Sequence, residues 1–167
     1  PSGWNQLPYA HLSNAFDGGL ALQDASGGIN TDNPDLSAFK ARGGKLMHYH
    51  GLADEDVAPA GSVNYYARVL DRMGGQAAVQ GFYRLFMIPG MSHMVQAYSG
   101  NGSANPDANP PYPSTPQLFD ALTRWVEEGA APDGLVSRSA SSVPVAKSLP
   151  LCAYPSKPAF TSGDAFD

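Results

Sequence analysis

The chain holds one cysteine, Cys152, so no internal disulfide can form and any sulfur partner must lie outside these residues. Charge is scarce at 15% of residues, the net charge is −5 and the pI is near 5.2. No block of Lys or Arg occurs, which excludes nucleic acid as an expected partner, because phosphate binding needs clustered basic side chains. No apolar run approaches the roughly 18 residues of a membrane-spanning helix, so no membrane association is expected. The first residues lack a basic segment followed by an apolar stretch, so no signal peptide is expected within them. The four His show neither i, i+4 nor Cys-paired spacing, and no metal is expected.

What is present suits one domain. The 167 residues are 43% hydrophobic, enough for a core. The 18 Gly and 15 Pro make up about a fifth of the chain and exclude a coiled coil, a helical bundle and a collagen-like rod.

Residues 1–34 are rich in Gly, Asn, Asp and Pro and read as loop with short turns. From Asp35 the pattern sharpens. Residues 35–43 read as a short helix, capped by Asp35 and stopped by Gly43. Lys45 to His50 is a mostly apolar run that suits a buried strand. Val63, Tyr66, Ala67, Leu70 and Met73 form one stripe of an amphipathic helix, ended by Gly74-Gly75. Phe82 to Ile88 is a second strand, apolar on both faces except at Arg84, as in a strand covered on both sides. Arg84 is expected to pair with an acid in the sheet layer or to lie near the sheet edge. Residues 94–115 are a polar, proline-rich loop. Thr115-Pro116 opens a helix with stripe Leu118, Leu122, Trp125 and Val126, closed by Gly129. Tyr65, Tyr66 and Trp125 read as core. Residues 130–167 are Pro/Ser-rich with only short apolar pieces.

The order helix–strand–helix–strand–helix predicts an α/β fold with parallel strands. Two strands are few for a free-standing sheet, so the element list suggests part of a larger one. In such sheets functional groups gather past the C-terminal strand ends. There the first strand meets Gly51-Leu52-Ala53-Asp54-Glu55-Asp56, and the second meets Pro89-Gly90-Met91-Ser92-His93. An acid and then a His, with room for a helix and a strand between them, is what a catalytic triad needs. The carboxylate orients the imidazole, and the imidazole serves as base for a hydroxyl.

Specific residues carry a resemblance. Asp35 to Leu46, Tyr49-His50-Gly51-Leu52-Ala53-Asp54, Phe82 to His93, Phe119-Asp120-Ala121-Leu122, Trp125 to Asp133 and Leu151-Cys152-Ala153-Tyr154-Pro155 resemble the C-terminal third of the tannase/feruloyl esterase family, over about residues 33–160. The resemblance implies the C-terminal part of an α/β-hydrolase sheet, incomplete without an N-terminal portion, and hydrolysis of phenolic or aromatic acid esters. It implies Asp54 as catalytic acid and His93 as catalytic base. It makes residues 1–34 the end of a lid and its return to the core, 35–135 the C-terminal part of that core, and 136–167 an extended tail. No cofactor is implied in this chain; any Ca²⁺ of relatives would sit in the absent lid. The family is usually secreted or periplasmic.

The sequence departs from the family in two ways. Met94 stands where the family has a Cys bonded to a Cys beside the nucleophilic Ser. No Gly-x-Ser-x-Gly, the strained turn that presents such a Ser, occurs. The expectation is that an N-terminal portion, or a second chain, supplies the Ser and the oxyanion hole, and that these residues alone are inactive. In relatives the Cys of Leu-Cys-x-Tyr-Pro often pairs with another Cys close to the end, and none follows Cys152.

Each residue also has a plainer reading. Asp54 is equally a turn acid capping the next helix. Asp56 is its local rival as triad acid, and Glu55 reads as a solvated charge. His48 and His50 share a strand face and read as satisfied structural histidines. His11 reads the same way in the lid remnant. Ser92 lacks the Gly-flanked turn of a nucleophile. The competing function is a non-catalytic binding or structural module that kept the hydrolase shape.

Overall fold

The computed structural model describes residues 3, 6, 8–93, 113–138 and 148–162, and the backbone of 165–166. The chain divides into two compact units, Pro1–Asn33 and Pro34–Asp167.

The first unit contains helix α1 (Tyr9–Ala21), with Pro8 at its N-cap, followed by turns closed by Gln23 Oε1 accepting from the Asn30 N–H at 2.8 Å. This corrects the loop reading of residues 1–34. Ala10, Leu12, Ala15, Leu20 and Ala21 are good helix formers. Their signal was masked by Gly18-Gly19 and the neighbouring Asn and Asp. Tyr9, Leu12, Phe16 and Leu20 recur at helical spacing, and all four are exposed.

The second unit opens with α2 (Ser37–Ala41). Asp35 Oδ1 accepts from the Ser37 N–H at 3.0 Å, and Gly43 adopts φ 76° beyond the helix end. Strand β1 (Leu46–Gly51) follows, then α3 (Pro59–Met73), a short α4 (Gln76–Gln80) and β2 (Tyr83–Ile88). β1 and β2 pair in parallel from Leu46↔Tyr83 to Gly51↔Ile88. A parallel pair requires a crossover, and α3 and α4 supply it. The α3 stripe differs from the expected one at one position: Ala67 is exposed and Val69 is buried in its place.

β2 is covered on both faces. Tyr83 and Leu85 pack with Tyr66, Val69 and Val79 of the crossover helices. Phe86 and Ile88 pack on the other side with Leu118, Leu135 and Leu151. β1 is less covered than a buried strand: Tyr49 is exposed and most of its residues are half-buried. Among the described residues β1 pairs only with β2, so one of its edges carries no strand.

Helix α5 (Thr115–Glu128) opens at Thr115-Pro116, and its cap is the preceding Ser114, whose Oγ accepts from the Gln117 N–H at 3.3 Å. Leu118 and Trp125 are buried, whereas Val126 is exposed. Beyond it lie β3 (Gly134–Arg138) and β4 (Ser148–Cys152), an antiparallel pair in the stretch that gave no strand signal. Pro150 sits opposite Val136 in that pair, and a proline lowers any strand expectation. The Tyr154 N–H then donates to the Leu85 carbonyl at 2.8 Å, tying this pair to β2. A short pair, β5 (Phe160–Ser162) with β6 (Ala165–Phe166), ends the described chain. Arg84 Nη2 meets Asp133 Oδ1 at 2.9 Å, which supplies the acid expected for it. Among the described residues no helix is long and apolar enough to cross a membrane.

Candidate active site

Because β1 and β2 run in parallel, the loops that follow them leave the sheet at the same end. Three contacts draw the loops together. The Leu52 N–H donates to the Ile88 carbonyl at 2.8 Å, and the Ala53 N–H donates to the Met91 carbonyl at 3.0 Å. At Gly51 the Met91 backbone lies where a side chain would begin, so only glycine fits. The second loop turns at Gly90, with φ 73°.

This packing brings Asp54 and His93 together. His93 Nδ1 lies 3.0 Å from Asp54 Oδ2. The other carboxylate oxygen, Oδ1, accepts from the backbone N–H groups of Asp56 at 3.0 Å and Val57 at 2.8 Å. Asp54 is therefore locked by its own turn before it meets the imidazole. Its side chain is 6% exposed and that of His93 is 41% exposed. Among the described residues no hydrogen bond engages His93 Nε2. The His93 N–H donates to Glu55 Oε2 at a long 3.4 Å.

The electrostatics match this geometry. Burial disfavours the Asp54 charge, but the donors from Val57, His93, Asp56 and His50 together outweigh it and hold the pKa at about 2. The Asp54 hydrogen bond and charge raise the His93 pKa above its usual 6.5, with lesser help from Asp56 and Glu55. Asp54 is thus a permanent anion at neutral pH, and His93 is a strengthened base.

Asp56, the rival acid, uses its backbone N–H to hold Asp54 and leaves its own side chain exposed. His11 lies exposed on α1 in the other unit. Ser92 is buried beside His93. Met94 lies outside the described residues. Cys152 is a free thiol, half-buried. Among the described residues no group of three or more His, Cys, Asp or Glu is arranged to hold a metal.

Sequence reasoning gave His48 and His50 structural roles and missed what they touch. His50 Nε2 also lies 3.0 Å from Asp54 Oδ2. His50 Nδ1 meets Ser62 Oγ at 2.6 Å, Ser62 Oγ meets His48 Nε2 at 3.2 Å, and His48 Nδ1 meets the Tyr83 hydroxyl at 2.8 Å. The available signal was the shared strand face of 48 and 50; Ser62 and Tyr83 gave none.

The chain matches the family described as tannase and feruloyl esterase over residues 5–167. It is 36% identical over 160 residues to a probable feruloyl esterase of Arthroderma benhamiae, covering 95% of this chain and 27% of that protein. It is 32% identical over 173 residues to a tannase of Aspergillus oryzae, covering 99% of this chain and 27% of that protein. Among solved structures, a tannin acyl hydrolase from Aspergillus niger superposes with a TM-score of 0.69 at 30% identity, over 87% of this chain and 26% of that one. Feruloyl esterase B from Aspergillus oryzae superposes with a TM-score of 0.61 at 34% identity, over 81% of this chain and 27% of that one. The chain therefore spans about a quarter of the length of the relatives it matches.

Proposed function

The chain belongs to the tannase and feruloyl esterase family, and from that premise we propose that it supplies the acid and base of a serine-type carboxylic ester hydrolase. The observation that carries the reading is the 3.0 Å contact between Asp54 Oδ2 and His93 Nδ1 at the shared strand ends. A Ser and an oxyanion hole from a portion outside these 167 residues complete the machinery.

The chemistry follows from which nitrogen is occupied. With Nδ1–H directed to Asp54, neutral His93 presents a lone pair at Nε2. It takes the proton as the Ser oxygen bonds to the ester carbonyl carbon, and the Asp54 charge stabilises the imidazolium. The proton passes to the departing alkoxide oxygen as the C–O bond breaks, leaving an acyl-enzyme. His93 then deprotonates a water, which attacks the acyl carbon and returns the Ser. The likeness to a probable feruloyl esterase and a tannase supports esters of phenolic acids as the substrate class. The same resemblance supports a secreted or periplasmic location, which cell fractionation would test.

The test is turnover of methyl ferulate and methyl gallate by the protein with and without the Ser-bearing portion, together with fluorophosphonate labelling. Stoichiometric labelling and turnover of the assembly, and none by these 167 residues alone, are expected. Robust turnover by this stretch alone, abolished by His93→Ala, contradicts the assignment of the nucleophile. Failure to label the assembly favours a binding module instead.

A further inference from the structure

The hydrogen bonds behind Asp54 have one arrangement in which both strand imidazoles are neutral and every atom is satisfied. His50 Nε2 faces two acceptors, Asp54 Oδ2 at 3.0 Å and the Val57 carbonyl at 3.1 Å, so Nε2 carries the hydrogen. In a neutral ring Nδ1 is then an acceptor, and the Ser62 hydroxyl donates to it. Ser62 Oγ, having given its proton to His50, accepts from His48 Nε2–H. His48 Nδ1 in turn accepts from the Tyr83 hydroxyl. Burial of His48, and next the neighbouring His50, favour its neutral form. Tyr83 is fully buried and stays protonated. In that arrangement four side chains from β1, α3 and β2 point their donors one way, from the core toward Asp54.

Asp54 Oδ2 therefore receives two imidazole N–H groups, but the two rings differ. His50 is 11% exposed and both its nitrogens are engaged, whereas His93 is 41% exposed. We propose that His50, held by Ser62, His48 and Tyr83, acts through Asp54: by sharing the carboxylate oxygen that meets His93 Nδ1, it tempers the pull of the acid on His93. An oxygen that already accepts one N–H is a weaker acceptor for the next, so His50 limits how far Asp54 raises the basicity of His93. The base is thereby kept neutral at lower pH than Asp54 alone would allow. Among the described residues the charged groups facing His93 are Asp54, Glu55 and Asp56. Those facing His50 are Asp54 and His48, with Ser62 of α3 between the two rings.

The inference rests on the esterase reading for its catalytic meaning, but its central measurement does not need turnover. The His93 ring is titrated by NMR in the intact protein, its resonance assigned by loss in His93→Asn. His50→Leu keeps bulk and removes the donor, and it should raise the His93 midpoint by about one pH unit. His50→Gln restores an N–H and should return the midpoint close to the parent value. Ser62→Ala should shift it in the same direction by less, and Ser62→Thr should not shift it. In ester turnover the acidic limb of kcat/KM should move with the NMR midpoint, with KM unchanged.

A purely structural His50 predicts the opposite sign: loss of the Asp54–His93 contact lets the His93 midpoint fall toward its ordinary 6.5. A fall or no change in folded His50→Leu overturns the proposal, as does failure of His50→Gln to restore. If His50→Leu does not fold, the Ser62→Ala and Ser62→Thr pair decides by the same sign. Should the parent protein turn over no ester, the function proposed above fails, and the titration still decides whether His50 tempers His93.

Discussion

Gly51 and Met91 lie so close that the Met91 carbonyl oxygen occupies the space a Cβ on residue 51 would take. The obstacle is backbone rather than the end of a flexible side chain, so it cannot turn aside. Gly51→Ala should push the two site loops apart and destabilise the fold by roughly 1–3 kcal/mol, in the range of overpacking. Because a misplacement of about 1 Å can cost on the order of 10²-fold in rate, kcat should fall by a similar factor. Urea unfolding, and steady-state kinetics with the Ser-bearing portion proposed above, check both numbers. Wild-type stability and rate in the variant would show that the close approach has no consequence.

His93→Ala removes the proposed base, and Asp54→Asn removes the anion that faces it and favours the wrong tautomer. Both should lower kcat by about 10⁴-fold or more with little change in KM, since neither group is expected to hold the substrate in its ground state. Asp56→Asn should leave kcat within about threefold, because its backbone N–H, not its side chain, holds Asp54. Equal losses at positions 54 and 56 would reassign the acid.

The pH dependence has a definite sign. Only neutral His93 accepts a proton, and its pKa is raised above 6.5, so the acidic limb of kcat/KM should have its midpoint above 6.5. Asp54→Asn should move the limb of the residual activity downward. Stability follows the same shifts. The raised His93 pKa stabilises the fold below 6.5, and this contribution is lost as pH rises through the folded value. The depressed Asp54 pKa stabilises the fold above 3.8, and this contribution is lost as pH falls toward about 2. Thermal unfolding across pH, compared with Asp54→Asn, checks both directions.

Arg84 is 13% exposed and meets Asp133, which is 86% exposed. Asp133→Ala should leave the guanidinium short of a partner and cost about 1 kcal/mol, a figure kept low by the solvent around the carboxylate. Arg84→Met in that background should recover much of the loss. Chemical denaturation of the two variants measures it.

The legible elements were those with local punctuation. Gly43, Gly74 and Gly129 all adopt positive φ beyond the ends of α2, α3 and α5, which is why those stops were readable. β2 was readable because a strand buried on both faces needs a continuous apolar run. α1 was hidden by its glycines, and the β3–β4 pair by Pro150 and the Ser-rich surroundings. Asp54 and His93 were visible because they follow the two clearest strands. The company Asp54 keeps was not, because Ser62 and Tyr83 reach His48 and His50 from a helix and a neighbouring strand, and no spacing along the chain encodes that meeting.

The proposed acid and base and the donors behind Asp54 all fall within residues 48–93, on one strand–helix–strand crossover. Their alignment is therefore inherited as a unit. Chain breaks, permutations or inserted segments placed before β1 leave the covalent frame of the pair whole. A single cut in α3 leaves Asp54 and His93 on separate polypeptides.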